Sequence, residues 1–183
     1  MKYHYIAVVI ILSLLVSPQD TRAQWTQSTA MEGGSIISDI LEYKNFVYIA
    51  VTWGGVYRSA DNGATWMPTS IPPQPNSGNF AIVGNQLLVL YHGKIFRSTD
   101  GATFTQTPGI DDFMLKVGTD GTTLVAGGNK GIYVSHDIGV TWSHVPDFRT
   151  HFDITAVAVR GDVILASSRM KAGLIFKSID RGD

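Results

Sequence analysis

The sequence predicts an all-β chain folded as a β-propeller of four-stranded antiparallel blades, about four of which are present. Three observations predict it. One segment recurs at a step near forty residues, short apolar runs of strand length fill the intervals, and residues that tolerate left-handed backbone fall at equivalent places in each interval.

The recurring segment is Gly55-Val-Tyr-Arg-Ser59-Ala-Asp61-Asn-Gly63-Ala-Thr65-Trp66, repeated as Gly131-Ile-Tyr-Val-Ser135-His-Asp137-Ile-Gly139-Val-Thr141-Trp142. A shortened copy reads Lys94-Ile-Phe-Arg-Ser98-Thr-Asp100-Gly101-Ala-Thr103-Phe104, and a fourth begins Gly173-Leu-Ile-Phe-Lys-Ser178-Ile-Asp180-Arg-Gly182. The serines Ser59, Ser98, Ser135 and Ser178 stand 39, 37 and 43 residues apart, a step that holds four short strands and their turns. Blades are accordingly expected at approximately 36–70, 78–108, 112–146 and 151–183.

In the first blade the innermost strand is expected over 36–43, the second over 46–52, the third over 56–59 and the outer over 65–69. The same order follows as 80–83, 86–91, 95–98 and 103–107, then as 114–118, 123–126, 132–135 and 141–144. The last blade offers 154–159, 163–167 and 174–178 without an outer strand. Between first and second strands lie Lys44-Asn45, Gly84-Asn85, Asp120-Gly121 and Gly161-Asp162, suited to the positive φ of a tight hairpin. The second strands, such as Phe46-Val-Tyr-Ile-Ala-Val, are almost continuously apolar, as strands covered on both faces require. No helix is expected after residue 23.

The pattern Ser-x-Asp-x-Gly-x-Thr-Trp, intact at Ser59 to Trp66 and at Ser135 to Trp142, resembles the Asp box, or BNR repeat. The resemblance covers nearly all of the chain after residue 23. It implies the propellers of bacterial sialidase-like, sortilin-like, xyloglucanase-like and photosystem II assembly factor-like proteins, which share the box without sharing an activity.

The box has a physical reason for its composition. The chain must reverse between third and fourth strands, and the Asp61 or Asp137 carboxylate can accept hydrogen bonds from the turn's exposed amides. Gly63 and Gly139 supply left-handed backbone, Thr65 and Thr141 favour a strand, and Trp66 and Trp142 lay a large ring against neighbouring strands. Each aspartate is therefore read as a turn clasp, since it comes from a different blade and does not converge on a centre. The copy at Ser98, Asp100, Gly101, Thr103 and Phe104 is one residue shorter and reads as a tight Asp-Gly hairpin without the full network. Arg181-Gly182-Asp183 reads as the same turn cut short, with Asp180 as its clasp, and not as an adhesion tripeptide.

Residues 1–23 have the layout of a secretory signal: a positive Lys2, an apolar run from Ile6 to Val16, and small residues Thr21 and Ala23 before the expected cleavage. The run is too short to span a bilayer. The expected destination is the periplasm, the cell surface or the medium. The chain has no cysteine, so neither disulfides nor thiolate zinc sites are available. His4, His92, His136, His144 and His151 form no H-x-x-x-H pair; neither a metal nor a cofactor is expected. With 16% charged residues and a net charge of −1, there is no electrostatic footprint for nucleic acid.

Residues 24–28, Gln-Trp-Thr-Gln-Ser, resemble the outer strands and can supply the one that the last blade lacks. With the fourth box interrupted before its Thr-Trp, the sequence is expected to be a fragment of a ring of six to eight blades; the alternative is a compact four-blade ring closed by that strand. The face opposite the Asp boxes is the expected binding face, because loops on a rigid scaffold carry recognition. Its second-to-third loops offer Trp53, His92, Lys130, Arg169 and Lys171, and its blade-to-blade connections offer Asp111, Asp112, Arg149, His151 and Asp153. The expected function is an exported binding or scaffold module for a glycan, peptide or protein. The alternative is a sialidase-like or other glycoside hydrolase, for which Asp111, Asp112 and Asp153 are the acid/base candidates. Arg58 and Arg97 lie on third strands, away from the axis, where they cannot serve as the arginine cluster a sialidase needs.

Overall fold

The computed structural model describes residues 36–145, 153–169 and 174–182. Fifteen strands are formed among them and no helix. The first blade is β1 (Ile37–Tyr43), β2 (Phe46–Val51), β3 (Gly55–Ser59) and β4 (Met67–Pro68). The second is β5 (Gly78–Val83), β6 (Gln86–Tyr91), β7 (Lys94–Ser98) and β8 (Thr105–Gln106); the third is β9 (Met114–Thr119), β10 (Leu124–Gly128), β11 (Gly131–Ser135) and β12 (Ser143–His144). The fourth holds β13 (Ile154–Arg160), β14 (Val163–Ser168) and β15 (Ile175–Ser178). Every sheet is an antiparallel meander in chain order, three of four strands and the last of three among the described residues. The predicted signal (1–23) and closing strand (24–28) lie outside the described residues.

The hairpins between first and second strands use the left-handed backbone expected of them, at Lys44, Asn45, Gly84, Gly121 and Gly161. The outer strands are shorter than the sequence predicts, two residues each. Their first residues are withdrawn from the ladder: the Thr65 and Thr141 amides bond to carboxylates of the preceding turn, and Pro68 has no N–H to extend β4.

Blades stack through their faces. Leu41, Tyr43, Phe46, Tyr48, Ala50 and Val56 of the first meet Phe80, Leu87, Val89, Tyr91 and Phe96 of the second. Ala81, Val83, Leu88, Leu90 and Ile95 of the second meet Met114, Val117, Leu124, Ala126 and Tyr133 of the third, and Val125, Ile132 and Val134 then meet Ile154, Val157, Ile164 and Ala166 of the fourth. The first strands of successive blades lie side by side, which makes them the innermost. The second strands of the two middle blades are thus sandwiched between neighbours, and their continuous apolarity follows. Close approach is built in: a Cβ at Gly127 would collide with the Ile154 side chain across the third interface.

Polar side chains add stitches between blades. Ser38 Oγ accepts from Gly78 N (2.8 Å), and the Asp39 carboxylate accepts from Phe80 N (2.7 Å) and Asn79 Nδ2 (3.1 Å). Both residues sit at a bulge in β1, which turns them out of their own ladder toward β5. The Tyr91 hydroxyl, fully buried, donates to Val51 O (2.8 Å) and accepts from Gly55 N (2.9 Å), tying the second blade to the turn at the end of β2.

Candidate functional site

The two ends of the blades are built differently. At one end lie the Ser-x-Asp turns between third and fourth strands. In the first, Asp61 Oδ1 accepts from Ser59 Oγ (2.7 Å) and Thr65 N (2.8 Å), Oδ2 accepts from Thr65 Oγ1 (2.6 Å), and Ser59 Oγ accepts from Gly63 N (2.8 Å). In the third blade, Asp137 accepts from Ser135 Oγ (2.8 Å), from Thr141 N (2.8 Å) and from Thr141 Oγ1, and Ser135 Oγ accepts from Gly139 N (2.9 Å).

The shortened copy forms the tighter turn with one residue fewer, and the Ala102 amide stands among its donors where the full turns use a threonine hydroxyl. Asp100 Oδ1 takes Ser98 Oγ, Ala102 N and Thr103 N, each at 2.8 Å, and Ser98 Oγ takes Gly101 N at 2.8 Å. The tight turn places Gly101 at φ +69° where a Cβ would overlap the Tyr48 hydroxyl. In the fourth blade Ser178 Oγ donates to Asp180 Oδ1 (2.6 Å) and accepts from Gly182 N (2.8 Å).

These bonds stabilise the charged carboxylate. Hydrogen bonds from the Thr65 side chain and backbone, then from Ser59, lower the Asp61 pKa to about 2. At Asp137 burial opposes ionisation, and the bonds from Thr141 and Ser135 outweigh it to bring the pKa to about 2. Asp100 is lowered further by the Ala102 and Thr103 amides, and Asp180 is lowered by the Ser178 hydroxyl. Trp142 packs in the core between second and third blades, Phe104 lies against the core between first and second, and Trp66 is half-buried over Gly63.

At the opposite end, the turns after the second strands and the blade-to-blade connections are joined contact by contact. Trp53 N donates to Gln74 O (3.0 Å) in the connection that also carries Asn76, whose side-chain amide meets His92 Nδ1 at 3.0 Å. His92 stands edge-on to Phe113, ring centroids 6.1 Å apart, and Phe113 O accepts from Asn129 N (3.2 Å) beside Lys130. One strip of surface thus runs across three blades. Trp53 and His92 adopt φ +66° and +51°, sparsely populated for side chains of that size, and the Trp53 side chain stays 69% exposed.

The acidic candidates on this face are already engaged. Asp112 is buried, with Oδ1 accepting from Phe113 N (2.6 Å) and Oδ2 from Lys130 N (2.8 Å), so it fastens the turn after β10 instead of facing solvent. Asp111 is exposed and lies 3.6 Å from Lys130 Nζ, which also donates to the Asp111 carbonyl. Asp153 is paired with Arg169, whose Nε and Nη2 reach one carboxylate oxygen at 2.9 and 2.8 Å. Arg149, His151 and Lys171 lie outside the described residues. Among the described residues no three His, Asp or Glu side chains converge as a metal site would require.

An open depression of about 380 Å3 lies at the strip's end, lined by Lys94, Asp111, Asp112, Phe113, Asn129 and Lys130. A second, of about 420 Å3, lies at the other end of the blades around Arg97 and Asp100, where the carboxylate is spent on its own turn. Phe113, Asn76 and Lys94 belong to the first face and were not singled out from sequence. Their signal is long-range, because each joins the strip through a residue of another loop or blade.

No protein-family model matches the chain, and no curated protein sequence does. Among solved structures it is similar to the computationally designed Ika4 protein, with TM-score 0.66 and 11% identity over 85% of this chain and 98% of that one. It is also similar to YCF48 bound to D1 peptide, at TM-score 0.56 and 13% identity over 86% of this chain and 58% of that one. The GH74 enzyme of Niastella koreensis gives TM-score 0.58 and 21% identity over 81% of this chain and 23% of that one. The chain therefore spans little more than half of the second and under a quarter of the third. At such identities the likeness is one of fold, and by fold the chain is a β-propeller.

Proposed function

We propose that the chain is an exported binding or scaffold propeller that engages a peptide or protein segment across the face opposite its Ser-x-Asp turns, which serve as structural Asp boxes. The carrying observation is Trp53: a large apolar ring, 69% exposed and held in left-handed backbone, at the head of the linked strip Trp53–Gln74–Asn76–His92–Phe113. Exposed aromatics on a rigid base present much contact area with little ordering entropy to lose, the usual make-up of interface anchors. Asn76, Asn129 and Lys130 add donors beside them, suited to the carbonyls of an extended peptide.

A hydrolase reading needs two carboxylates free to act on one bond. Asp112 is committed to backbone amides, Asp153 to Arg169, and Asp111 lies beside Lys130, which favours binding over catalysis. That YCF48 has been solved with a peptide bound fits the same reading, while the GH74 neighbour keeps glycans as the competing ligand class. The apolar signal at residues 1–23 supports export.

The test is a selection of phage-displayed peptides on the immobilised protein, run beside an array of oligosaccharides. Enrichment of peptides by the unmodified protein, lost with Trp53→Ala, is the expected result. Oligosaccharide binding or cleavage that Trp53→Ala leaves intact would overturn the proposal.

A further inference from the structure

Asparagine followed by glycine occurs once in the sequence, at Asn62-Gly63, and it falls inside the first blade's Ser-x-Asp turn. The corresponding place holds Ile138 in the third blade and Arg181 in the fourth, and the shortened turn of the second blade has no residue there. Asn62 is exposed, in left-handed backbone at φ +57°, and its side chain makes no hydrogen bond among the described residues.

These residues bring together the reactants of a self-modification. The side-chain amide of an asparagine is attacked by the backbone nitrogen of the next residue, and glycine hinders that attack least because it has no side chain. In the closed turn this nitrogen is held back. Gly63 N donates to Ser59 Oγ at 2.8 Å, Ser59 is 1% exposed, and the Trp66 ring lies over Gly63. A base in solution therefore reaches the Gly63 proton when the turn opens, as in the exchange of any protected amide hydrogen.

We propose that Asn62 is a deamidation site gated by the Asp61 turn, protected while the turn is closed and converted when it opens. In the open turn hydroxide takes the Gly63 amide proton, and the nitrogen bonds to Asn62 Cγ. The bond from Cγ to the side-chain nitrogen breaks, that nitrogen takes a proton from water, and ammonia departs from a five-membered succinimide. Water then opens the ring at either carbonyl to give aspartate or isoaspartate, so the sum is one water consumed and one ammonia released. Both products set a second carboxylate beside Asp61, and isoaspartate also adds a methylene to the main chain between 62 and 63. The Gly63 amide then no longer falls on Ser59 while the Thr65 amide stays on Asp61, so a turn that has reacted does not close as before. The counterparts at Asp137 and Asp180 lack this chemistry, because isoleucine and arginine stand where it needs asparagine.

The experiment incubates the full protein at mildly alkaline pH, native and in denaturing guanidinium. Each asparagine is followed by proteolysis and mass spectrometry, with electron-transfer fragmentation to tell isoaspartate from aspartate. Asn62 is expected to convert fastest of all asparagines in guanidinium and to be strongly protected in the native protein. Native Ser59→Ala is expected to convert at Asn62 at least about fivefold faster, the factor that one hydrogen bond of ordinary strength sets on an opening equilibrium, with Asn129 unchanged. The isoaspartate form, separated by its added charge, is expected to melt below Asn62→Asp, which carries the charge without the methylene. Equal rates at Asn62 in native and unfolded protein would overturn the gate, and this comparison stands even where Ser59→Ala does not fold. A folded Ser59→Ala protein with an unchanged rate would also overturn it, and an isoaspartate form that melts with Asn62→Asp would overturn the lasting effect on the turn.

Discussion

Replacing Asp137 by alanine removes one carboxylate and three hydrogen bonds from the third blade's turn. The Thr141 amide and hydroxyl that it binds are exposed and regain water, so the loss is that of a side-chain cap and not of a buried charge. A cost of about 1–2 kcal/mol is expected, and for a chain of this size the melting temperature falls by about 3–8 °C. Ser135 sets the upper comparison. Its hydroxyl is buried and accepts from the Gly139 amide, which is itself buried, so Ser135→Ala strands a donor away from water and costs up to about 3 kcal/mol. The assay is thermal and urea denaturation followed by tryptophan fluorescence. The expected order is unsubstituted protein, then Asp137→Ala, then Ser135→Ala. An Asp137→Ala protein that melts with the unsubstituted one would refute the clasp account, most directly if ligand binding were lost at the same time.

Lowered pKa values at Asp61 and Asp137 mean that the folded turns favour the carboxylates, so their contribution is complete above the ordinary pKa of 3.8 and lost as pH falls through about 2. Stability measured in urea should therefore decline between those limits, and the decline should be shallower in Asp137→Ala. Gly101→Ala, where a methyl meets the Tyr48 hydroxyl at positive φ, should cost roughly 3 kcal/mol or prevent folding, read as soluble yield and melting temperature. Tyr91→Phe should lower stability by about 1–3 kcal/mol by leaving the buried Gly55 amide without its acceptor, with circular dichroism unchanged.

The blade count and the hairpins are legible in sequence because both are local: the period is set by Ser59, Ser98, Ser135 and Ser178, and the turns by residues that accept positive φ. The outer strands are overextended in that reading because propensity sees Thr65 and Thr141 as strand formers, while their amides are taken by Asp61 and Asp137. The binding face is legible only in outline. Trp53 stands out as an aromatic beside Gly54 in a turn, but Asp112 looks like a free loop carboxylate until the fold brings the Lys130 amide to it from 18 residues away. Phe113 and Asn76 carry no local pattern, and only the stacking of blades puts them beside His92.

The most direct test of the division between a structural end and a binding end is a comparison of Trp53→Gly with Asp137→Ala in the same melting and peptide-binding assays. Glycine relieves the left-handed backbone at 53, so Trp53→Gly should leave stability unchanged or raise it by up to ~1 kcal/mol while binding is lost. Asp137→Ala should do the reverse, melting earlier while binding at temperatures below its transition is kept. A Trp53→Gly protein that melts many degrees lower, or that binds undiminished, would contradict the account.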